Sequence, residues 1–266
     1  EALPRIMPGA DDDLVRPLAA RLKKQFEAIH TGAKLVSARR TGETVEVSFA
    51  TSKGETKKSN FDAVLVAVGR EPLSRDLGLE NTKVTVDARG FIQVNAARQT
   101  TDKRIYAIGD VAGEPMLAHK ASHEGIVAAE AIAGRPSIFD ARAIPAVAYT
   151  SPEVASCGLT EAQAAEQGRK IIVGKFPWGA SGRAIAMGRP EGLTKIIAEQ
   201  DSRRVLGVGI VGEHAGDLIA EAVLAIEMGA TAEDLAMTIH PHPTTSETVM
   251  EAAESVLGTA IHSLRS

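Results

Sequence analysis

Hydrophobic residues recur at every fourth position near the start of the chain, at Leu14, Leu18, Leu22 and Phe26. This spacing places them on one face of a helix, because an α-helix completes a turn every 3.6 residues. Asp11 or Asp12 is a suitable N-cap, since a short polar side chain accepts a hydrogen bond from a first-turn N–H. The pattern predicts a helix from there to about Ile29.

Three strand-like runs follow this helix, at 33–38, 44–49 and 61–68. Polar turns around Thr41-Gly42 and Lys53-Gly54-Glu55 separate them, which is typical of a β-meander. The last run is apolar from residue 63 to residue 68. An unbroken apolar run favours a central strand covered on both faces.

The next stretch is rich in loops and ends in a strand followed by a helix. Short strands are predicted at 83–86 and 91–94, a buried strand at 105–110, and a helix at about 117–133. The buried strand ends in Gly109-Asp110.

Asp110 is a candidate ligand-binding residue because of its place after a strand. In open α/β sheets, cofactors bind where a strand's carboxyl end meets the N-terminus of a helix. The carboxylate either accepts hydrogen bonds from hydroxyl groups of a cofactor or caps the turn after Gly109. This signal alone favours neither interpretation.

From Pro145 onward, strands and helices follow one another without strict alternation. The predicted strands are 171–176, 193–199 and 205–211, and the predicted helices are a short one after Thr160, 217–228, 232–237 and one after Thr244. Such an order favours an antiparallel sheet layered with helices, which is an α+β domain.

Two histidines flank a proline in the segment His240-Pro241-His242-Pro243-Thr244-Thr245-Ser246-Glu247. Proline disfavours helix at the residue before it, so both histidines are expected on extended backbone. Thr244 is predicted to cap a helix whose apolar stripe contains Met250, Ala253, Val256 and Leu257. Glu247 then falls in the first turn, within reach of His242.

The pair of His242 and Glu247 has two interpretations. A carboxylate beside an imidazole fixes the tautomer of the ring and raises its basicity, as in a catalytic base. The same residues match a capping box, in which Glu247 only accepts a backbone N–H, and spacing alone favours capping. A metal site is disfavoured, because structural zinc usually needs four ligands and the only cysteine, Cys157, is distant in sequence.

Composition excludes several classes of function. A net charge of −4 without basic runs interleaved with aromatic residues argues against nucleic-acid binding. No apolar run approaches the roughly 18 residues of a membrane span. A single cysteine excludes an internal disulfide and fits a reducing compartment, so a cytoplasmic location is expected.

Several segments occur in an order that identifies a family. They are 64–72, 106–110 with 116–120, 176–178 with 181–184, 225–229, and 240–247. In this order they resemble segments of the flavin-dependent pyridine nucleotide–disulfide oxidoreductases, nearly from end to end. His240 and the His119-Lys120 helix start favour the branch that oxidises dihydrolipoamide, with the glutathione and mercuric reductase types as alternatives.

The resemblance implies a mixed α/β and α+β fold. Residues 1–69 would be the C-terminal part of an NAD-binding domain, and 70–143 the second segment of an FAD-binding and central domain. Both would be incomplete Rossmann-like segments, and an α+β dimerisation or interface domain with the catalytic histidine would follow at 144–266. The family's redox cysteine pair and glycine fingerprints are not in this sequence, so the chain is expected to be a C-terminal fragment, inactive by itself.

The resemblance also implies residue roles. His242 would be the catalytic base, Glu247 its hydrogen-bond partner, and His240 structural. The FAD half-site would contain Asp110, Met116, Leu117, Ala118 and His119, with Asp110 on the ribityl chain. The NAD half-site would contain Glu1 on the adenosine ribose, Leu35 over the adenine and Gly69 near the nicotinamide-side phosphate.

The implied reaction is the oxidation of dihydrolipoamide on a carrier protein, with electrons passing through a redox disulfide and FAD to NAD⁺. The implied partners are a second copy of the protein, across whose interface the base reaches the flavin, and the lipoyl-carrying acyltransferase of a 2-oxo acid dehydrogenase complex. The alternative is a non-enzymatic dimerisation and carrier-docking module.

Overall fold

The computed structural model describes residues 1–262, which form two compact units. One unit joins Glu1–Val66 to the residues from Arg142 onward, and the other is Ala67–Ala141. These boundaries lie within three residues of those expected at 69 and 143. The assignment of each stretch to a cofactor domain stays a prediction.

The first helix of the first unit, α1, spans Asp12–Gln25, so its predicted start is confirmed and its end comes earlier than Ile29. Leu14 and Leu18 are buried against the five-stranded sheet described below. Phe26 was expected on the same face but is 53% exposed. That expectation is wrong, because Phe26 is already the C-cap, with extended backbone that turns its side chain off the helical stripe.

The predicted β-meander is confirmed for its first two strands, whereas its third strand lies earlier in the chain than the predicted run at 61–68. Strands β1 (Lys34–Thr41), β2 (Thr44–Ala50) and β3 (Thr56–Phe61) form an antiparallel sheet in the order β1-β2-β3. The tight turn pairs Thr41 with Thr44.

The prediction of a buried strand at 61–68 is wrong. Strand β3 ends at Phe61, and residues 62–68 pair with no strand within the described part of the chain. Leu65 is 91% exposed and Val68 is 89% exposed. An apolar run becomes a central strand only where neighbouring strands pair with its edges and other layers cover its faces, which the run itself does not specify.

A five-stranded antiparallel sheet organises the rest of the first unit. Its strands are β4 (Ala146–Ala148), β5 (Glu153–Gly158), β6 (Ile171–Pro177), β7 (Leu193–Glu199) and β8 (Val205–Gly212), in the order β4-β5-β8-β7-β6. The last three were predicted and are confirmed. Strands β4 and β5 were missed, because they are short and contain mostly small or polar residues, which give a weak β signal.

Helices cover this sheet and complete an α+β layer structure. They are α3 (Glu161–Glu166), α4 (Gly182–Ala186), α5 (Ala215–Met228), α6 (Ala232–Met237) and α7 (Glu247–Leu257). Helix α5 packs on β5 and β8, and α7 packs on β6 and β7. Thr160 and Thr231 form capping boxes at α3 and α6, and only α4 was not predicted. Among residues 1–262, no helix has both the length and the apolar character needed to cross a lipid bilayer.

Two glycines of β8 make room for large side chains packed against the strand. A Cβ on Gly209 would lie 2.2 Å from Cδ1 of Leu14, and a Cβ on Gly212 would lie 2.4 Å from the ring of Trp178. Helix α1 and Trp178 therefore sit closer to β8 than a side chain there would allow.

A buried lysine ties α1 to the sheet. Nζ of Lys195, on β7, lies 2.6 Å from Asp11, 2.7 Å from Asp13 and 3.0 Å from Glu161, and the Lys195 side chain is 1% exposed. These three carboxylates also form the one group within residues 1–262 whose spacing suits a metal ion. The ammonium group of Lys195 bonds all three, and Lys175 also pairs with Asp13 and Glu161, so the protein itself compensates two of the three negative charges.

The second unit contains one long helix, α2 (Ala118–Ile132), as predicted. The expected strands at 83–86, 91–94 and 105–110 are reduced to isolated bridges such as Val86 with Ile92. The 105–110 run ends instead in a 3₁₀ turn at Gly109–Ala112. The expectation of regular strands is therefore wrong here, because short apolar runs form ladders only where neighbouring runs continue beside them.

Candidate functional site

His242 and Glu247 lie together where the loop after α6 leads into α7. Nδ1 of His242 is 2.9 Å from Oε1 of Glu247. A carboxylate only accepts hydrogen bonds, so Nδ1 carries the proton and Nε2 keeps its lone pair. The His242 side chain is 79% exposed, so the ring is open to a ligand.

Glu247 performs both of the roles between which spacing could not decide. Its Oε2 accepts the N–H of Thr244 at 2.8 Å while its Oε1 holds His242. Burial raises the pKa of Glu247, but the hydrogen bonds from Thr244 and His242 and the charges of the histidines outweigh it, so the pKa lies below its usual value. The group therefore stays ionised as an acceptor for both donors.

The expected N-cap, Thr244, is wrong, since Ser246 occupies that position. The Thr244 hydroxyl donates to the carbonyl of Pro241 at 2.7 Å and lies 2.8 Å from Oγ of Ser246. The Thr244 hydroxyl therefore closes the loop instead of capping the helix. The peptide bond before Pro243 is cis.

His240 has a different environment from His242. Its Nε2 lies 2.9 Å from Glu221 of α5 and its Nδ1 lies 2.8 Å from the carbonyl of Thr238. The side chain is 5% exposed. Both ring nitrogens are engaged, so His240 anchors the loop to α5 and presents no nitrogen to a ligand.

Asp110 lies in the second unit, in the 3₁₀ turn after Ile108. Its side chain is 51% exposed and lies 3.9 Å from Nη1 of Arg70. The same arginine nitrogen donates to the carbonyl of Met116 at 2.6 Å. Arg70 thus links the Asp110 turn to the segment before α2.

Sequence reasoning missed a buried charged cluster that holds this turn. Glu124 is fully buried; its Oε2 accepts the N–H of Gly109 at 2.6 Å, and its Oε1 pairs with Arg98 at 2.7 Å and Lys120 at 3.1 Å. Lys120 also donates to the carbonyl of Gly113 at 3.0 Å. The spacing of Lys120 and Glu124, four residues apart on a helix with alanines around them, was the available signal.

The other expected FAD residues surround the N-terminus of α2. Met116 precedes the helix, Leu117 is its N-cap, and Ala118 and His119 begin it. Leu117 gives no side-chain cap, and the first turn has no acidic residue. The positive end of the helix dipole is therefore not neutralised by side chains of its own, and it suits a negatively polarised ligand group.

The expected NAD residues do not all lie in one unit. Glu1 and Leu35 belong to the first unit, where the carbonyl of Glu1 accepts the N–H of Ala33, just before β1. Leu35 is 57% exposed. Gly69 belongs to the second unit, where its φ of +133° favours glycine although the space around it would admit a side chain.

Cys157, the only cysteine, is buried in the core of the first unit on β5. Burial raises the pKa of its thiol to about 12. A thiol that stays protonated is a poor nucleophile, so Cys157 is a packing residue.

Two family models match the chain. The model described as pyridine nucleotide-disulphide oxidoreductase matches residues 1–125, and the model of the dimerisation domain of the same proteins matches residues 144–253. The chain belongs to the pyridine nucleotide–disulphide oxidoreductase family. The resemblance found in the sequence motifs is thereby confirmed.

Relatives of this oxidoreductase chain match it along almost its whole length. It is 48% identical over 265 residues to the dihydrolipoyl dehydrogenase of Thermus scotoductus, covering 99% of this chain and 57% of that protein. It is 46% identical over 265 residues to that of Haloferax volcanii, covering 99% of this chain and 56% of that protein. The chain therefore spans little more than half the length of these relatives.

Solved structures of family members share the fold. LpdA of Mycobacterium tuberculosis superposes with a TM-score of 0.86 at 25% identity, covering 95% of this chain and 55% of that one. The HOCl-induced flavoprotein disulfide reductase RclA of Escherichia coli superposes with a TM-score of 0.84 at 27% identity, covering 94% and 57%. The predicted fold class, α/β segments followed by an α+β dimerisation domain, is confirmed.

Proposed function

We propose that these residues act as part of a dihydrolipoyl dehydrogenase, which oxidises protein-bound dihydrolipoamide to lipoamide and reduces NAD⁺. The observation that carries the proposal is the His242–Glu247 pair, with Nδ1 protonated toward a carboxylate and Nε2 open. The dihydrolipoyl dehydrogenases of Thermus scotoductus and Haloferax volcanii, which match 99% of the chain, supply the reaction class.

In this reaction His242 acts as the general base. Nε2 takes the proton from a thiol of dihydrolipoamide, because the thiolate is the nucleophile in thiol–disulfide exchange. The proton makes the ring an imidazolium, which the Glu247 carboxylate stabilises at Nδ1. His240, bound at both nitrogens, keeps a structural role.

The residues of the second unit fit one half of an FAD site. The half-exposed Asp110 carboxylate suits the ribityl hydroxyls, and the uncapped start of α2, with Met116, Leu117, Ala118 and His119, suits the polarised ring. Bound FAD supplies the electron transfer from the redox disulfide to NAD⁺. For NAD, Glu1 and Leu35 are the proposed binding residues of the first unit, and Gly69 is the proposed one of the second unit.

Exposed apolar residues support the proposed homodimer. Leu224 and Met228 on α5 are 62% and 75% exposed, and Ile239, next to His240, is 95% exposed. Glu221, which binds His240, lies on the same helix, three residues before Leu224 and seven residues before Met228. An apolar surface of this kind beside a site is typical of a protein interface, and it lies within the region matched by the dimerisation model.

The proposed second partner is the lipoyl-carrying acyltransferase of a 2-oxo acid dehydrogenase complex, because it presents the dihydrolipoyl group. The cytoplasm is the proposed compartment, where the free thiol of Cys157 is usual. By themselves the 266 residues are expected to show no turnover, because the disulfide step needs two cysteines and the sequence has one. Acting alone, they would be a dimerisation and docking module.

A substrate panel tests the proposal. The whole enzyme here means a protein in which residues 1–266 follow the flavin-binding segment and the redox cysteine pair that the proposal requires. We expect it to reduce NAD⁺ with dihydrolipoamide and to turn over neither oxidised glutathione nor Hg²⁺ with comparable efficiency. Preferential turnover of glutathione or mercury would refute the proposal in favour of a reductase of those types.

A further inference from the structure

Three buried side chains beneath the His242 loop form a continuous line of hydrogen bonds. Nε1 of Trp178 lies 2.9 Å from Oγ1 of Thr194, and that hydroxyl lies 2.8 Å from Oγ1 of Thr248. Oγ1 of Thr248 lies 2.7 Å from the carbonyl oxygen of Thr245. We call Trp178, Thr194 and Thr248 the hydroxyl relay; all three have 0% exposure.

The relay has one possible direction. An indole Nε1 only donates and a carbonyl oxygen only accepts, while a hydroxyl has a single proton to donate. Since the Thr248 proton goes to Thr245, Thr194 must donate to Thr248 and accept from Trp178. Every polar atom of the relay is then satisfied, as buried polar groups require.

The relay joins the sheet to both sides of Glu247. Thr248 directly follows Glu247 at the start of α7, and Thr245 lies two residues before it in the loop. Thr194 is on β7, between β6 and β8. Trp178 itself is held in place, because a Cβ on Gly192 would lie 2.6 Å from its ring and one on Gly212 only 2.4 Å.

Volume alone does not explain the three polar groups. Valine has nearly the shape of threonine, so an apolar version of the relay would fill the same space without buried polar atoms. Hydroxyl groups form directional hydrogen bonds. A buried network in which every donor and acceptor is paired therefore specifies one arrangement of the elements that it joins.

We propose that Thr194 and Thr248 are positioning residues for the His242–Glu247 pair, an inference that rests on the proposed function for its catalytic meaning. They act through the backbone on either side of Glu247. With the relay intact, the Glu247 carboxylate faces Nδ1 of His242 and keeps the ring in the tautomer whose Nε2 is free of a proton. Without it, the Thr245 carbonyl keeps only the longer hydrogen bond from the Thr248 N–H, at 3.2 Å, and the orientation of the Glu247 carboxylate is no longer fixed.

The test is the tautomer of His242 in the 266-residue chain, read from ring ¹⁵N chemical shifts by NMR. The native chain should show the Nδ1-protonated form of the neutral ring. Thr248→Val should give a mixture of both tautomers, and Thr194→Val should shift the population in the same direction. Thr248→Ser and Thr194→Ser, which keep the hydroxyl, should restore the native tautomer.

A matched control separates positioning from stability. Val249→Ala changes the next residue of α7, which is also fully buried, and leaves the relay intact. It should lower the melting temperature without changing the His242 tautomer. In the whole enzyme, Thr248→Val should lower kcat about fivefold with little change in KM, the factor expected for one net hydrogen bond.

A native tautomer in folded Thr248→Val and Thr194→Val would overturn the inference and leave the proposed function standing. The same holds if Val249→Ala changes the tautomer as much as they do. If Thr248→Val does not fold, the Thr194→Val and Thr194→Ser pair decides. The tautomer is measured without turnover. A whole enzyme that failed to oxidise dihydrolipoamide would therefore refute the proposed function without changing the tautomer result.

Discussion

Glu247 and His242 are joined at 2.9 Å by one oxygen of the carboxylate, while the other oxygen caps the backbone of the same loop at Thr244. One side chain therefore both shapes the loop and orients the base. Because both donors stabilise the ionised form, the pKa of Glu247 stays low although burial raises it. Nε2 of His242 therefore keeps its lone pair and can accept a proton.

Glu247→Gln should inactivate the whole enzyme while leaving it folded. If the amide oxygen keeps its bond to Thr244, the NH₂ group faces Nδ1 of His242 and drives the proton to Nε2, which removes the base. We expect kcat to fall roughly 100-fold or more, the range of general acid–base catalysis. Steady-state kinetics with dihydrolipoamide measures this.

Glu254→Gln is the matched control for that variant. Glu254 lies on the same helix, two turns further on, and has no hydrogen bond to His242. Its activity should be native-like. Equal losses in the two variants would show that the charge of α7, and not contact with His242, controls turnover.

Lys195→Met should destabilise the first unit strongly. The change leaves Asp11, Asp13 and Glu161 close together without the cation that bonds all three. Removing one partner from a buried charged network costs about 3–5 kcal/mol. The free energy of unfolding, from urea titration of the 266-residue chain, measures the loss.

Lys175→Met provides the comparison for Lys195→Met. Lys175 binds Asp13 at 2.7 Å, but its side chain is 43% exposed. An exposed ion pair contributes about 1 kcal/mol or less. Similar losses for the two lysines would contradict the assignment of Lys195 as the residue that ties α1 to the sheet.

The stability of the first unit should fall in acid partly through Asp13. Burial raises the pKa of Asp13, but the hydrogen bonds and charges of Lys175 and Lys195 outweigh it, so the pKa lies below its ordinary value of 3.8. A depressed pKa gives stability that is present above pH 3.8 and lost as the pH falls through the folded value. In Asp13→Asn, the free energy of unfolding should therefore decrease less steeply below about pH 4.

Asp62→Asn is the control for the acid series, since Asp62 is exposed and has no ion pair within residues 1–262. Its unfolding curve should follow that of the native chain at every pH. If Asp13→Asn also follows the native chain, the paired state of Asp13 contributes nothing to acid stability.

Glu124→Gln should loosen the second unit around Asp110. The amide leaves Arg98 and Lys120, 14% and 4% exposed, without the carboxylate between them. We expect a loss of about 3 kcal/mol in stability and faster hydrogen exchange of the Gly109 N–H. FAD should also bind more weakly to the whole enzyme, as measured by flavin release.

Glu130→Gln, on the same helix, controls for helix charge. Glu130 pairs with Arg135 at 3.9 Å and is 39% exposed, so its change should cost about 1 kcal/mol or less. Unchanged exchange at Gly109 in Glu124→Gln would refute the role of Glu124 in holding the turn.

Local signals in the sequence predicted the parts of the fold that are decided locally. The starts of α3 after Thr160 and of α6 after Thr231 depend on residues within one turn of each other. Of the stripe predicted for α7, Ala253 and Val256 are buried, whereas Met250 and Leu257 are half-buried. The apolar run at 61–68 was wrongly predicted as a buried strand, because the burial of a strand depends on neighbouring strands and layers that its own residues do not specify. Strand β5 was missed because Ser156 and Cys157 give little β signal.

The site was predicted where its residues are close in sequence and missed where they are distant. His242 and Glu247 are five residues apart, yet spacing could not show that each carboxylate oxygen has its own donor. Thr194 and Thr248 are 54 residues apart, and Asp11 and Lys195 are 184 apart. Such pairs meet only because the five-stranded sheet brings them together.

The kinetics of His242→Gln in the whole enzyme test the central claim most directly. Glutamine keeps a polar side chain but has no basic nitrogen, so the thiolate of dihydrolipoamide must form without help. We predict that kcat with dihydrolipoamide falls by roughly 100-fold or more, while bound FAD remains at native occupancy. Near-native turnover in His242→Gln would contradict the assignment of His242 as the base.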